Sequence, residues 1–80
     1  VGIFDKTTKM VEIEVHSDFA GRLTRARKAS GKTQAELAKA LGRSRTAVTN
    51  WELGKALPEL PVFVEWCKVC GTTPNDILGF

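Results

Sequence analysis

The segment from Thr33 to Leu53 stops one helix and starts another within two residues, and any fold must accommodate that. Thr33 followed by Glu36 three positions on is the pattern of a capping box, in which each end supplies the other's missing hydrogen-bond partner. Leu37, Ala38 and Leu41 then recur at helical spacing and define one apolar side. Gly42 suits the left-handed conformation that ends a helix, and Ser44 suits the cap that opens the next. Two helices joined by a very short polar turn are therefore expected.

The second of these helices, expected over 44–53, has an unusual composition. Exposed helix positions favour residues such as glutamate and lysine, yet here they carry arginine, threonine and asparagine. At about 100° per residue, Arg45, Thr49, Leu53, Thr46 and Asn50 fall within an arc of roughly 140°. Ala47, Trp51 and Val48 fall together behind it. Trp51 and Val48 are thus expected to anchor the helix and the polar groups to be presented. Those residue types match base-pair edges: arginine donates two bonds to guanine, asparagine pairs bidentately with adenine, and a threonine methyl touches thymine.

The remainder organises around this pair. In residues 1–16, Val11, Ile13 and Val15 alternate with Glu12 and Glu14, which predicts a strand with one wet face. An earlier stretch, "VGIF", is a partner for a hairpin, although "DKTTK" lacks the tight-turn signal. From Ser17 the pattern becomes helical. Ser17 or Asp18 is expected to cap a first helix with Phe19, Leu23 and Ala26 inward and Arg22 and Arg25 outward. After Gly54 and Pro58 a fourth helix follows, with Leu60, Phe63, Trp66, Cys67 and Cys70 at helical spacing. Thr73-Pro74 then opens a last turn anchored by Ile77 and Leu78. The fold class expected is mainly α, with five short helices over 17–80 and a β-like arm over 1–16.

Charge is distributed in blocks. The net charge of +3 conceals a segment, 20–55, with nine basic side chains against only Glu36 and Glu52, flanked by acidic stretches. Such a block suggests an anionic partner, or a solvated helical face. No apolar run reaches the roughly 18 residues that span a bilayer, and charges at Asp5, Lys6, Glu12 and Glu14 argue against a secretory leader. A cytoplasmic setting, bacterial or in a phage-infected host, is the expectation.

"TQAELAKALGRSRTAVTNWELGK" resembles the helix-turn-helix of the lambda-repressor-like family, which comprises phage repressors, Cro proteins and their bacterial relatives. The resemblance runs from about Phe19 to Leu78 and rests on Ala38, Gly42, Val48 and Trp51 falling where that motif needs small, flexible and apolar groups. It implies a five-helix lambda-repressor-like domain, here with an amino-terminal β-strand or hairpin extension that the family often lacks. It also implies that Arg45, Thr46 and Asn50 touch bases, with Thr49 beside them. Gln34 and Lys55 are implied as phosphate contacts, and Arg27 with Glu52 as a structural ion pair; Ser44 and Arg43, in the turn, are further phosphate candidates, Arg43 equally suiting a solvated arginine. The implied partner is double-stranded DNA; because one module this small reaches few base pairs, a homodimer on a palindromic operator is a further expectation. No cofactor, metal, membrane or small-molecule substrate is expected.

Rival chemistries were weighed on the same residues. "WCKVC" resembles a redox dithiol, but that motif normally opens a helix after a strand, whereas here it falls late in an apolar helix. A zinc site would need four ligands, and His16 is the one further soft donor. "SGKT" imitates the end of a phosphate-binding loop but follows a helix, and adjacent His16, Ser17 and Asp18 cannot converge as a triad. No catalytic constellation is expected. A helix-turn-helix module acting mainly in protein–protein interaction, antitoxin-like or scaffold-like, remains the alternative.

Overall fold

The computed structural model describes residues 18–79. The strand or hairpin expected over 1–16 and the cap expected at Ser17 lie outside the described residues. What is described is five helices: α1 over 18–29, α2 (Gln34–Leu41), α3 (Arg45–Glu52), α4 (Leu60–Cys70) and α5 (Pro74–Leu78). No strand occurs among the described residues.

Local capping chemistry sets the boundaries. Thr33 Oγ1 accepts from the Glu36 amide at 3.1 Å while Glu36 Oε1 accepts from the Thr33 amide at 2.9 Å, completing the capping box. Gly42 ends α2 at φ 67°, a left-handed conformation that costs glycine little and that directs its amide to the Ala38 and Lys39 carbonyls. Ser44 Oγ accepts from the Ala47 amide at 3.1 Å and opens α3. Thr73 does the same for α5, accepting from the Asp76 amide at 3.2 Å ahead of Pro74.

Packing places α2 at the centre, against both α3 and α4, with α5 closing on α4. The core comprises Leu23, Leu37, Ala38, Val48, Phe63, Trp66, Cys67 and Ile77. Trp66 is fully buried, and its indole N–H donates to the Leu23 carbonyl at 3.3 Å. Its ring meets Trp51 edge to face at 6.2 Å, and Phe19 meets Phe63 likewise at 5.3 Å. Burying each large apolar side chain contributes about 1.5–3 kcal/mol. Together they lock α3 by its inner side.

Three expectations are corrected. Leu60 is 72 % exposed, because the buried side of α4 runs through Val62, Phe63, Trp66 and Cys67 and Leu60 lies at the margin of that arc. Leu78 is 46 % exposed, since Ile77 takes the inward position and its neighbour is turned about 100° away. Of the two cap candidates, Asp18 is already helical and its carboxylate meets Arg22 Nε at 2.8 Å, while Ser17 lies outside the described residues. Arg22 is not simply outward: its Nη1 donates to the Ile77 carbonyl at 3.1 Å and ties α1 to the end of α5.

Candidate nucleic-acid interface

The short turn through Gly42 and Arg43 fixes how α3 emerges from α2. The Arg43 amide returns to the Ala38 carbonyl at 3.0 Å, so the turn is closed by backbone bonds before Ser44 starts α3. Val48 is fully buried and Trp51 half-buried, which sets the rotation of the helix. Arg45 and Thr46 are exposed, and Thr49 and Asn50 are half-buried along the same side. Arg43, Ser44 and Lys55 are exposed at the two ends of α3. The Lys55 amide donates to the Asn50 carbonyl at 2.9 Å, so Lys55 is held close beneath the helix's last turn.

Behind this surface lies a buried polar network. Arg27 Nε donates to Glu52 Oε2 at 2.6 Å and its Nη2 to Oε1 at 3.0 Å, a two-pronged pair joining α1 to α3. Arg27 Nη1 also donates to the Lys32 carbonyl at 2.9 Å. Burial pushes the Glu52 carboxyl upward. Hydrogen bonds from Arg27 and Gln34, with the Arg27 charge, outweigh it and hold the group below the usual carboxylate range. The bond to Glu52 correspondingly raises Arg27 against the opposing effect of its burial. Both groups are therefore charged at neutral pH.

Gln34 joins this network to the outer face. Its Nε2 donates to Glu52 Oε1 at 2.9 Å, and its Oε1 accepts from the Thr49 hydroxyl at 3.1 Å. Gln34, Arg45, Thr46 and Thr49 together line a shallow hollow. Sequence reasoning missed the links from Gln34 to Thr49 and Glu52. The partners stand 15 and 18 residues apart, so no local spacing signals them.

The cysteines lie elsewhere. Cys67 is buried and Cys70 half-buried, both as free thiols. Burial, the largest influence on each, holds both above the ordinary thiol range and so disfavours the reactive thiolate. Among the described residues no group of three or more His, Cys, Asp or Glu side chains gathers as a metal site. No helix among them is long and apolar enough to cross a membrane.

Comparison with known proteins bears on the fold. No curated protein sequence matches the chain. Among solved structures it is similar to the clp gene regulator ClgR from C. glutamicum, with a TM-score of 0.75 at 23% identity, covering 80% of this chain and 82% of that one. At that identity the likeness establishes the fold. The helix-turn-helix domain family matches residues 18–78, the whole of the five-helix unit apart from its final glycine. The chain belongs to the helix-turn-helix domain family.

Proposed function

We propose that this chain is a sequence-specific double-stranded DNA-binding protein, a transcriptional repressor of phage or bacterial type, which reads the major groove with α3. The observation that carries the reading is the polar arc Arg45, Thr46, Thr49 and Asn50, exposed at the first two and half-buried at the last two, with Val48 fully buried on the opposite side. Arg45 suits the two acceptors of guanine and Asn50 the donor–acceptor pair of adenine, while Thr46 and Thr49 add a hydroxyl and a methyl each.

Phosphate contacts set the register. Arg43 and Lys55 are exposed cations flanking α3. Ser44 uses its oxygen as a cap acceptor and keeps its hydroxyl proton for a phosphate. Gln34 commits one amide N–H to Glu52 and retains the other. These contacts position the protein without carrying sequence information. Arg27 and Glu52 hold α1 and α3 at fixed separation and touch no DNA.

A module of this size reaches few base pairs, so useful specificity calls for two copies on a palindromic operator with half-sites about one helical turn apart. A second reading, a module that mainly binds protein, is favoured by one observation. Leu53, Leu57 and Leu60 are 62 %, 54 % and 72 % exposed between α3 and the start of α4. Selection from random duplexes, with sedimentation of the bound species, separates the readings. The DNA reading predicts an enriched, two-fold symmetric motif. Absence of any enriched motif overturns it in favour of the protein-binding module.

A further inference from the structure

Hydrogen bonds have a direction, and here that direction is set from the core outward. Glu52, ionised and held by two N–H groups of Arg27, can only accept. Its Oε1 receives the Gln34 amide nitrogen at 2.9 Å. Turning that amide over would place a carbonyl oxygen against a carboxylate at the same distance, which is repulsive. The nitrogen end of Gln34 therefore faces Glu52, and its carbonyl end faces α3. That carbonyl oxygen lies 3.1 Å from Thr49 Oγ1, and the Arg45 carbonyl lies 3.0 Å from the same atom. Both neighbours are acceptors without a proton to give. A threonine hydroxyl has one proton, so whichever neighbour takes it, the proton stays within the protein.

We infer that Thr49 is a specificity-determining residue that offers the major groove a lone pair and a methyl but no donor, and that Gln34 is a positioning residue that shares with the Arg45 carbonyl the task of keeping it so. The inference rests on the DNA-reading function proposed above. Guanine presents only acceptors, N7 and O6, along its major-groove edge; thymine sets a methyl beside its single O4 acceptor, and adenine and cytosine present amino donors. An acceptor set against acceptors repels. The base beneath Thr49 is therefore chosen by exclusion of guanine, a preference written by Glu52 through Gln34 although Glu52 touches no base. Thr49 lines the same open hollow as Arg45 and Thr46, so its remaining surface is accessible to a ligand.

The test uses the full chain, as wild type, Thr49→Val and Gln34→Met, each first used to select from random duplexes. Each protein is then titrated against the enriched duplex with all four bases placed in turn at every position. Wild type is expected to disfavour guanine at one position by about fivefold or more, the low end of the cost of a mismatched pair. Thr49→Val, which has no lone pair, removes that penalty at that position alone. Gln34→Met withdraws one of the two internal acceptors and also the amide proposed to meet phosphate, so it weakens binding to every duplex alike, reduces the guanine penalty at the same position and leaves the base preferences elsewhere unchanged. Thr49→Ala repeats the test with less bulk. A wild-type preference for guanine that Thr49→Val abolishes would show the hydroxyl donating to the base and overturn the inference. So would a Thr49→Val pattern unchanged everywhere, a Thr49→Val loss uniform across positions, or a Gln34→Met protein with the guanine penalty intact. In all of those outcomes an enriched motif leaves the DNA-reading function standing. If wild type enriches no motif at all, that function fails and the inference fails with it.

Discussion

Removing the Glu52 carboxylate tests whether α1 and α3 are held together by charge. The Arg27 and Glu52 side chains are only 11 % and 5 % exposed, and they meet through two bonds at 2.6 and 3.0 Å. Glu52→Leu keeps approximate volume but leaves the Arg27 guanidinium buried without a counter-charge. Breaking a buried pair in this way costs about 3–5 kcal/mol, because the remaining charge stays desolvated. A domain of this length has about 4–12 kcal/mol in total, so the variant sits near the edge of folding. At about 4–8 °C per kcal/mol its midpoint falls by roughly 12 °C or more. The double variant Arg27→Met/Glu52→Leu removes both charges and should return to within about 1–2 kcal/mol of wild type, since apolar replacement of a buried pair is often neutral. Urea and thermal unfolding followed by helical circular dichroism measure both. A loss below about 1 kcal/mol for Glu52→Leu would refute the reasoning, because that is the behaviour of a solvent-exposed ion pair. A double variant no better than the single would also refute it.

Acid should unfold the protein through the same group. The folded-state pKa of Glu52 is lowered, so its contribution is fully present above the unfolded value, about 4.3, and is lost as pH falls from there through the folded value. A urea midpoint that stays level on acidification across that window in wild type, or falls equally in Glu52→Leu, contradicts the assignment. Trp66→Phe removes the buried N–H···O bond to Leu23 and part of the ring, and should cost about 1–3 kcal/mol in urea unfolding. A cost under about 0.5 kcal/mol would show that the ring does not organise the core. Lys55→Ala should weaken binding to all duplexes and lower the slope of log affinity against log salt by about one unit. An unchanged slope removes Lys55 from the phosphate contacts.

What the sequence discloses here depends on distance along the chain. The caps at Thr33, Ser44 and Thr73 are legible because each is an exchange between a side chain and an amide three residues on. The rotation of α3 is legible because Val48 and Trp51 oppose a polar arc on a single helix, and periodicity reports that directly. Leu60 is misjudged because hydrophobicity alone does not say which edge of an apolar arc meets a neighbour, and Val62 wins that contact. Arg22 is misjudged because its partner, the Ile77 carbonyl, lies 55 residues away. Within the site, the residue types on α3 are visible in the sequence, but the direction in which Thr49 points its proton is not. Beyond the local Arg45 carbonyl, that direction depends on Gln34, which reaches Thr49 and Glu52 only after α2 and α3 have packed.

In the proposed function α3 reads bases and does not merely lie against a phosphate backbone. Affinity of Arg45→Ala and of Asn50→Ala for the selected operator and for random duplex, at one salt concentration, tests it most directly. Each variant should lose about 1–3 kcal/mol on the operator and far less on random DNA. Equal losses on both would contradict the claim, because a contact that cannot tell one sequence from another is not reading it.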